Sequence, residues 1–387
     1  MHRRLVSSLA LACALIALPA AAQVQFIPLE EKCGPVFFPT FCVVDMSGDG
    51  STLLFRDKVW TAATGYRQIG PAGMFSATAL SDDGTTVVGD YYVTDGPLGP
   101  HIEAAIWQGG DNWRPLGGLP GAVPCGNDFS GSYDVSNDGK VVGLAWVGAP
   151  CSGGHAFEWT EATGMVDKGS IVADRSSRAN GISADGTKIV GWSDSDFGSR
   201  LGAHWTGDAP ATWFSPDGNP IYVGEAQAAS SNGAFVVGGG YSDYTAGVNK
   251  PKKVNQAWLW SAATNTIVPL GVVKQLTGDF ADGQHWVSDV SDDGGVVVGQ
   301  DMLYNLGEQW AFIWTKQTGI AMLQDYIRAR TDPATKALLC PGQRSKQQVC
   351  RGWDLWNVAA VSNDGKTIVG TGANPDGIFQ AFMVKLP

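Results

Sequence analysis

Charge is scarce in this 387-residue sequence: Asp, Glu, Lys and Arg together make up 16%. The positive sign is the scarcer one, with 26 basic residues against 37 acidic ones and a formal net charge of −11. A chain without a basic surplus lacks the footprint that phosphate backbones and anionic membranes attract, so nucleic acid is not an expected partner. Long apolar runs are missing after the first 22 residues, so no later segment reads as a helix that spans a bilayer. Histidine is rare, at five residues. The motifs G-x-S-x-G and H-E-x-x-H are absent, as are a phosphate-binding loop and a C-x-x-C pair. No cofactor is indicated and no metal centre. "DSDFG" opens like a Ca²⁺ loop at Asp194 and Asp196 but lacks the later ligands.

Glycine (51 residues) and tryptophan (15) are plentiful, which marks an ordered, turn-rich β protein. Residues 1–22 have the parts of a secretory signal peptide. "MHRR" is basic, "LVSSLALACALIAL" is apolar, and "PAAAQ" offers a cleavage site after Ala22. The mature domain is then 23–387, periplasmic or extracellular. Cys13 leaves with the leader. Six cysteines remain, and an even number in an exported chain implies disulfides. Pairing sequence neighbours is the simplest arrangement: Cys33–Cys42, Cys125–Cys151 and Cys340–Cys350.

One motif recurs along the chain. "LSDDGTTVVG" begins at Leu80, "VSNDGKVVG" at Val135, "ISADGTKIVG" at Ile182, "VSDDGGVVVG" at Val290 and "VSNDGKTIVG" at Val361. "MSGDGSTLLF" at Met46 and "ASSNGAFVVG" at Ala229 are weaker copies, which makes seven. Each is followed by an Ala/aromatic/Trp strand, such as "HAFEW" ending at Trp159, and then by a turn and a short strand, such as "VPLG" ending at Gly271. Every unit therefore reads as four strands, with Asp-Gly or Asn-Gly making the first hairpin turn. Units this small cannot hold a core alone and must stack or close into a ring. Small residues near the motif Ser (Ala79, Gly181, Ala228, Ala360) suit a crowded axis. The last unit stops after three strands, and "QFIPL" (Gln25 to Leu29) is free to supply the fourth. The expected fold is all-β: a single seven-bladed β-propeller of four-stranded antiparallel blades, closed by its N-terminal strand.

S-x-D-G-x-x-V-V-G followed by x-A-F-x-W resembles the HAF family of bacterial extracellular repeats, and "HAFEW" (His155 to Trp159) carries the triplet literally. The resemblance covers nearly the whole mature chain. It includes "MLQDYI" at Met322 and "GWDLWNVAAVSNDGKTIVG" at Gly352, which look like the family's usual ending. It implies an exported location and a repeat architecture, and it implies no particular chemistry. The segment Cys340 to Cys350 departs from the pattern.

In such a blade, the links after the second and fourth strands gather on one face of the disc. They are the long, variable ones here, and variable loops on a rigid frame are where binding usually sits. Aromatic residues follow the V-V-G strands on that face: Tyr91, Tyr92, Trp146, Trp192, Tyr241 and Tyr304. They are the candidate ligand residues. The expected function is binding of a glycan or of an extracellular or periplasmic protein by a monomer. The alternative is a carbohydrate-active enzyme, a polysaccharide lyase or a glycoside hydrolase. For that chemistry His101 and His285, in variable links, are the candidate catalytic residues.

Overall fold

The structure is a computed structural model. It describes residues 23–34, 42–71, 73–95, 97–148, 151, 153–214, 221–244, 252–273, 283–303, 308–342 and 350–387. The expected signal peptide, 1–22, lies outside the described residues. Seven four-stranded antiparallel sheets follow one another along the chain and form the blades of a β-propeller. The innermost strands of blades one to seven are Val43–Met46, Phe75–Leu80, Ser130–Val135, Ser177–Ile182, Ile221–Ala229, Gly283–Val290 and Asp354–Val361. The apolar clusters sit between neighbouring blades. One joins Val237, Ala257 and Leu259 of blade five to Val290, Val297 and Phe312 of blade six. Both faces of each sheet are thus covered, which explains why the strand sequences are not strictly alternating.

The recurrent Ser, Asp and Gly build the first hairpin turn. In all seven copies the Ser hydroxyl donates to the Asp or Asn side chain two residues on, within 2.8 Å. In five of the seven blades the residue after the Ser reaches the next blade. Gly48 N–H donates to Asp82 O, Asn137 to Ala184, Ala184 to Ser231, Asp292 to Asn363, and Asn363 back to Gly48. Side chains complete the circle: Asn137 Oδ1 accepts from Asp83 N–H, and Asp292 Oδ1 from Asn232 N–H. The turn end of the propeller is therefore ringed by hydrogen bonds.

The glycine of V-V-G has a different cause. Each innermost strand is bulged two to four residues before the motif Ser, between Val43 and Asp45 in blade one and between Ala226 and Ala228 in blade five, for example. Gly89, Gly143, Gly191, Gly238, Gly299 and Gly370 lie against these bulges. A Cβ at any of them would stand 1.9–2.4 Å from a carbonyl oxygen of the innermost strand. That approach is possible for glycine alone.

The N-terminal strand Gln25–Gly34 completes blade seven, paired antiparallel with Phe379–Lys385 from Gln25↔Lys385 to Gly34↔Phe379. Phe26 packs on Trp353 and Phe382, with ring centroids 5.3 and 5.7 Å away. Between blades six and seven come two short helices, Leu323–Arg328 and Pro333–Leu338, which the repeat pattern does not foretell. They buttress the closure. Leu323 and Ile327 share a core with Val24 and Phe26, and Thr331 Oγ1 donates to Val24 O at 2.8 Å. The three disulfides pair sequence neighbours, with Cα–Cα distances of 5.5, 4.7 and 5.8 Å. Cys33–Cys42 ties the closing strand to the entry of blade one. No helix among the described residues is long and apolar enough to cross a membrane.

Candidate ligand site at the channel mouth

A bulge turns one extra side chain out of a strand. Here the extra residue is three before the motif Ser: Val44, Thr78, Tyr133, Asn180, Gln227, Ser288 and Ala359. These seven line both cavities found on the propeller axis. They form its waist, with one cavity on either side. Several also bond the following blade. Gln227 Oε1 accepts from Val287 N–H at 2.7 Å, Ser288 Oγ donates to Val358 O at 2.6 Å, and Asn180 Nδ2 donates to Ala226 O at 2.7 Å.

The larger cavity, of about 380 Å³, lies where the innermost strands begin, so it opens at the end that carries the long links. Besides the waist it is walled by Arg56, Ser76, Arg178, Trp286 and Gln300. Tyr133 and Trp286 each keep 40% of their surface exposed. Arg178 is held from all sides. Its guanidinium lies 4.6 Å from the Tyr133 ring and 5.6 Å from Trp192, its Nε donates to Asn180 Oδ1 at 2.6 Å, and it pairs with Glu225. Arg200 stacks on Trp192 as well, at 4.3 Å, and reaches Glu225 at 3.7 Å. Arg56 is exposed and its guanidinium has no partner among the described residues. Gln300 is 4% exposed, and its Oε1 finds no donor among the described residues.

The smaller cavity, of about 200 Å³, lies toward the motif turns and is acidic. Asp45, Asp134 and Asp289 project into its wall. Each accepts the N–H of the residue that follows it and an N–H of the next blade: Leu80, Ile182 and Val361 respectively, at 2.8–2.9 Å. Burial pushes the carboxyl of Asp45 up to about 7 and that of Asp134 up to about 8, and raises Asp289 well above the ordinary 3.8. The channel is thus polarised, with guanidinium groups at one mouth and carboxyls toward the other.

The residues expected from the sequence lie elsewhere. Tyr91 is half-buried against blades one and two, Tyr92 is 37% exposed, and Trp146 is half-buried at the end of Val141–Trp146. Trp192 is buried beneath its two arginines. Tyr241 belongs to the strand Phe235–Tyr244, but its side chain lies outside the described residues, as does the whole of Tyr304. None of the described aromatics of this set lines the cavity. They stand on second strands, one step out from the axis. His101 is buried between Gly99 O and Glu103, both at 2.6 Å, and His285 is buried against the carboxyl of Asp301. Neither lines the cavity, and the two belong to blades two and six. Tyr133, Trp286, Arg178 and Arg56, which line the cavity, are not among the residues expected from the sequence. The signal available for the first was its fixed place three residues before the motif Ser. Asp194 and Asp196 join no group of three or more metal-ligating side chains among the described residues.

No protein-family model matches the sequence, and no curated protein matches it. Solved structures do. An oligogalacturonate lyase in complex with manganese is 13% identical, with 95% of this chain and 98% of that one covered and a TM-score of 0.48. The xyloglucanase of Xanthomonas campestris is 10% identical over 92% of this chain and 55% of its own, with a TM-score of 0.49. The β-propeller domain of the Trilobed protease from Pyrococcus furiosus is 10% identical over 90% and 94%, with a TM-score of 0.48. Their chemistries differ widely, and at these identities the likeness concerns the fold alone.

Proposed function

We propose that the protein is exported and binds a glycan at the larger mouth of its axial channel. The observation that carries this reading is the pairing of two half-exposed rings, Tyr133 and Trp286, with a wall of hydrogen-bonding side chains. Flat rings accept the C–H faces of a sugar, and Ser76, Thr78, Asn180, Gln227 and Ser288 are suited to its hydroxyls. A volume of about 380 Å³ falls in the range of small-ligand pockets, ~300–1,000 Å³. Export is supported by the leader-like N-terminus, by three disulfides and by the HAF-like repeats. Binding is favoured over turnover because the described lining at this mouth consists of arginines and neutral side chains, and both candidate histidines are engaged elsewhere.

A glycan array probed with the mature protein tests the reading. Tyr133→Ala and Trp286→Ala should each weaken capture at least tenfold, about 1.4 kcal/mol, and Trp286→Ala should do so with the melting temperature unchanged because its ring faces the cavity. If the double variant captures as well as the parent while Tyr92→Ala and Trp146→Ala abolish capture, the site lies on the rim instead.

A further inference from the structure

We infer that the glycan bound at this mouth carries carboxylates, and that Arg56 is the group that receives them. This rests on the glycan reading above and narrows it to a substrate class. Two guanidinium groups, Arg56 and Arg178, line the cavity and no carboxylate among the described residues does, while Arg200 stands beside Arg178 and both reach Glu225. Arg178 and Arg200 are committed to Glu225 and to the ring of Trp192. Arg56 is committed to nothing among the described residues, yet it faces the cavity. A guanidinium is a planar fork that matches a carboxylate at two points, and its attraction grows in a walled cavity. The surplus is notable on a chain of net charge −11, where an unpaired arginine has many acidic neighbours available to it.

Two further features set the orientation. Gln300 Oε1 is a buried acceptor in the cavity wall without a donor among the described residues, and a sugar hydroxyl is a donor of the right kind. Asp45, Asp134 and Asp289 lie beyond the waist, so an anionic group is disfavoured there and hydroxyls are welcome. A uronic acid unit presents both demands at once: a carboxylate for the arginine end and O–H donors for the interior.

The test is a titration of the mature protein with oligomers of galacturonate, glucuronate and mannuronate, with their carboxyl-reduced counterparts, with a sulfated neutral oligosaccharide and with an acidic peptide. At least one uronate oligomer should bind ten or more times tighter than its reduced counterpart, and added salt should narrow the gap. Arg56→Gln should bring the two affinities together without moving the melting temperature. Trp286→Ala should weaken both alike. If reduced and acidic oligomers bind equally, if the sulfated one is preferred, or if Arg56→Gln leaves the preference intact, the carboxylate inference is overturned and the glycan reading stands. If the peptide binds and no saccharide does, or if nothing binds, the glycan reading falls and takes this inference with it.

Discussion

At the scale of single residues, two glycines in one hairpin answer to different physics. Gly139 ends a motif turn at φ 81° with open space where a Cβ would go. Gly143 is the V-V-G glycine, and a Cβ there would lie 2.0 Å from Gly131 O. Gly139→Ala should cost about 1–2 kcal/mol, the penalty of a left-handed backbone. Gly143→Ala meets backbone that no rotamer change relieves and should cost about 2–4 kcal/mol. Urea unfolding of the two variants compares them directly, and equal losses would refute the bulge account. The motif turn was legible in the sequence because Ser, Asp and Gly at fixed offsets are turn chemistry. The bulge was not, because the extra residue itself carries no compositional mark and the glycine that accommodates it stands on the neighbouring strand. The sequence therefore points to the aromatics of the second strands, and Tyr133, one of the seven bulge residues, carries no signal beyond its place before the motif Ser.

At the scale of elements, the strand Gln25–Gly34 and the helices Leu323–Arg328 and Pro333–Leu338 form one closing unit. Phe26 sits at its centre, 7% exposed. Phe26→Ala should cost about 3–5 kcal/mol, as for other buried aromatic truncations, and thermal unfolding of the disulfide-intact protein measures it. A loss below about 1 kcal/mol would mean that the strand merely covers an edge. The strand could be foreseen by counting: six units of four and one of three leave a single vacancy. The disulfides followed from adjacency along the chain. The helices could not be foreseen from periodicity, since six residues are under two turns. Asp332 before Pro333 was the available start signal, and Asp332 Oδ1 does accept from Ala334 and Thr335 N–H at 2.8 and 3.0 Å.

At the scale of the whole molecule, two sets of carboxyls give stability opposite dependences on pH. The motif carboxyls Asp49, Asp185, Asp293 and Asp364 are held below the ordinary value, chiefly by the Ser hydroxyl each accepts from. Their contribution is present above about pH 4 and fades as pH falls further. Asp45, Asp134 and Asp289 are raised by burial, so the folded state holds protons that the unfolded chain releases. The contribution of Asp45 and Asp134 is full below the unfolded value near 4 and is lost as pH rises through about 7 to 8, and that of Asp289 is lost in the same direction. Stability should therefore peak in weak acid, near pH 5, and decline by pH 8. Calorimetry at these two pH values should give a lower melting temperature at pH 8, and Asp134→Asn should reduce the difference. A parent protein that melts higher at pH 8 than at pH 5 would reverse the sign and discredit this reading of the channel carboxyls.

The seven bulge residues are all different: Val, Thr, Tyr, Asn, Gln, Ser and Ala. The turns on one side of them and the glycines opposite them are copied nearly verbatim from blade to blade. Inheritance in this molecule thus has a conservative script and one free letter per line. Mutation at the free letter changes what the axis presents, with least effect on the fold where the side chain bonds no neighbouring blade, as at Val44 and Ala359. A duplicated or exchanged blade would bring its own letter with it. Relatives built on the same script can diverge in what they hold while remaining interchangeable in how they stand.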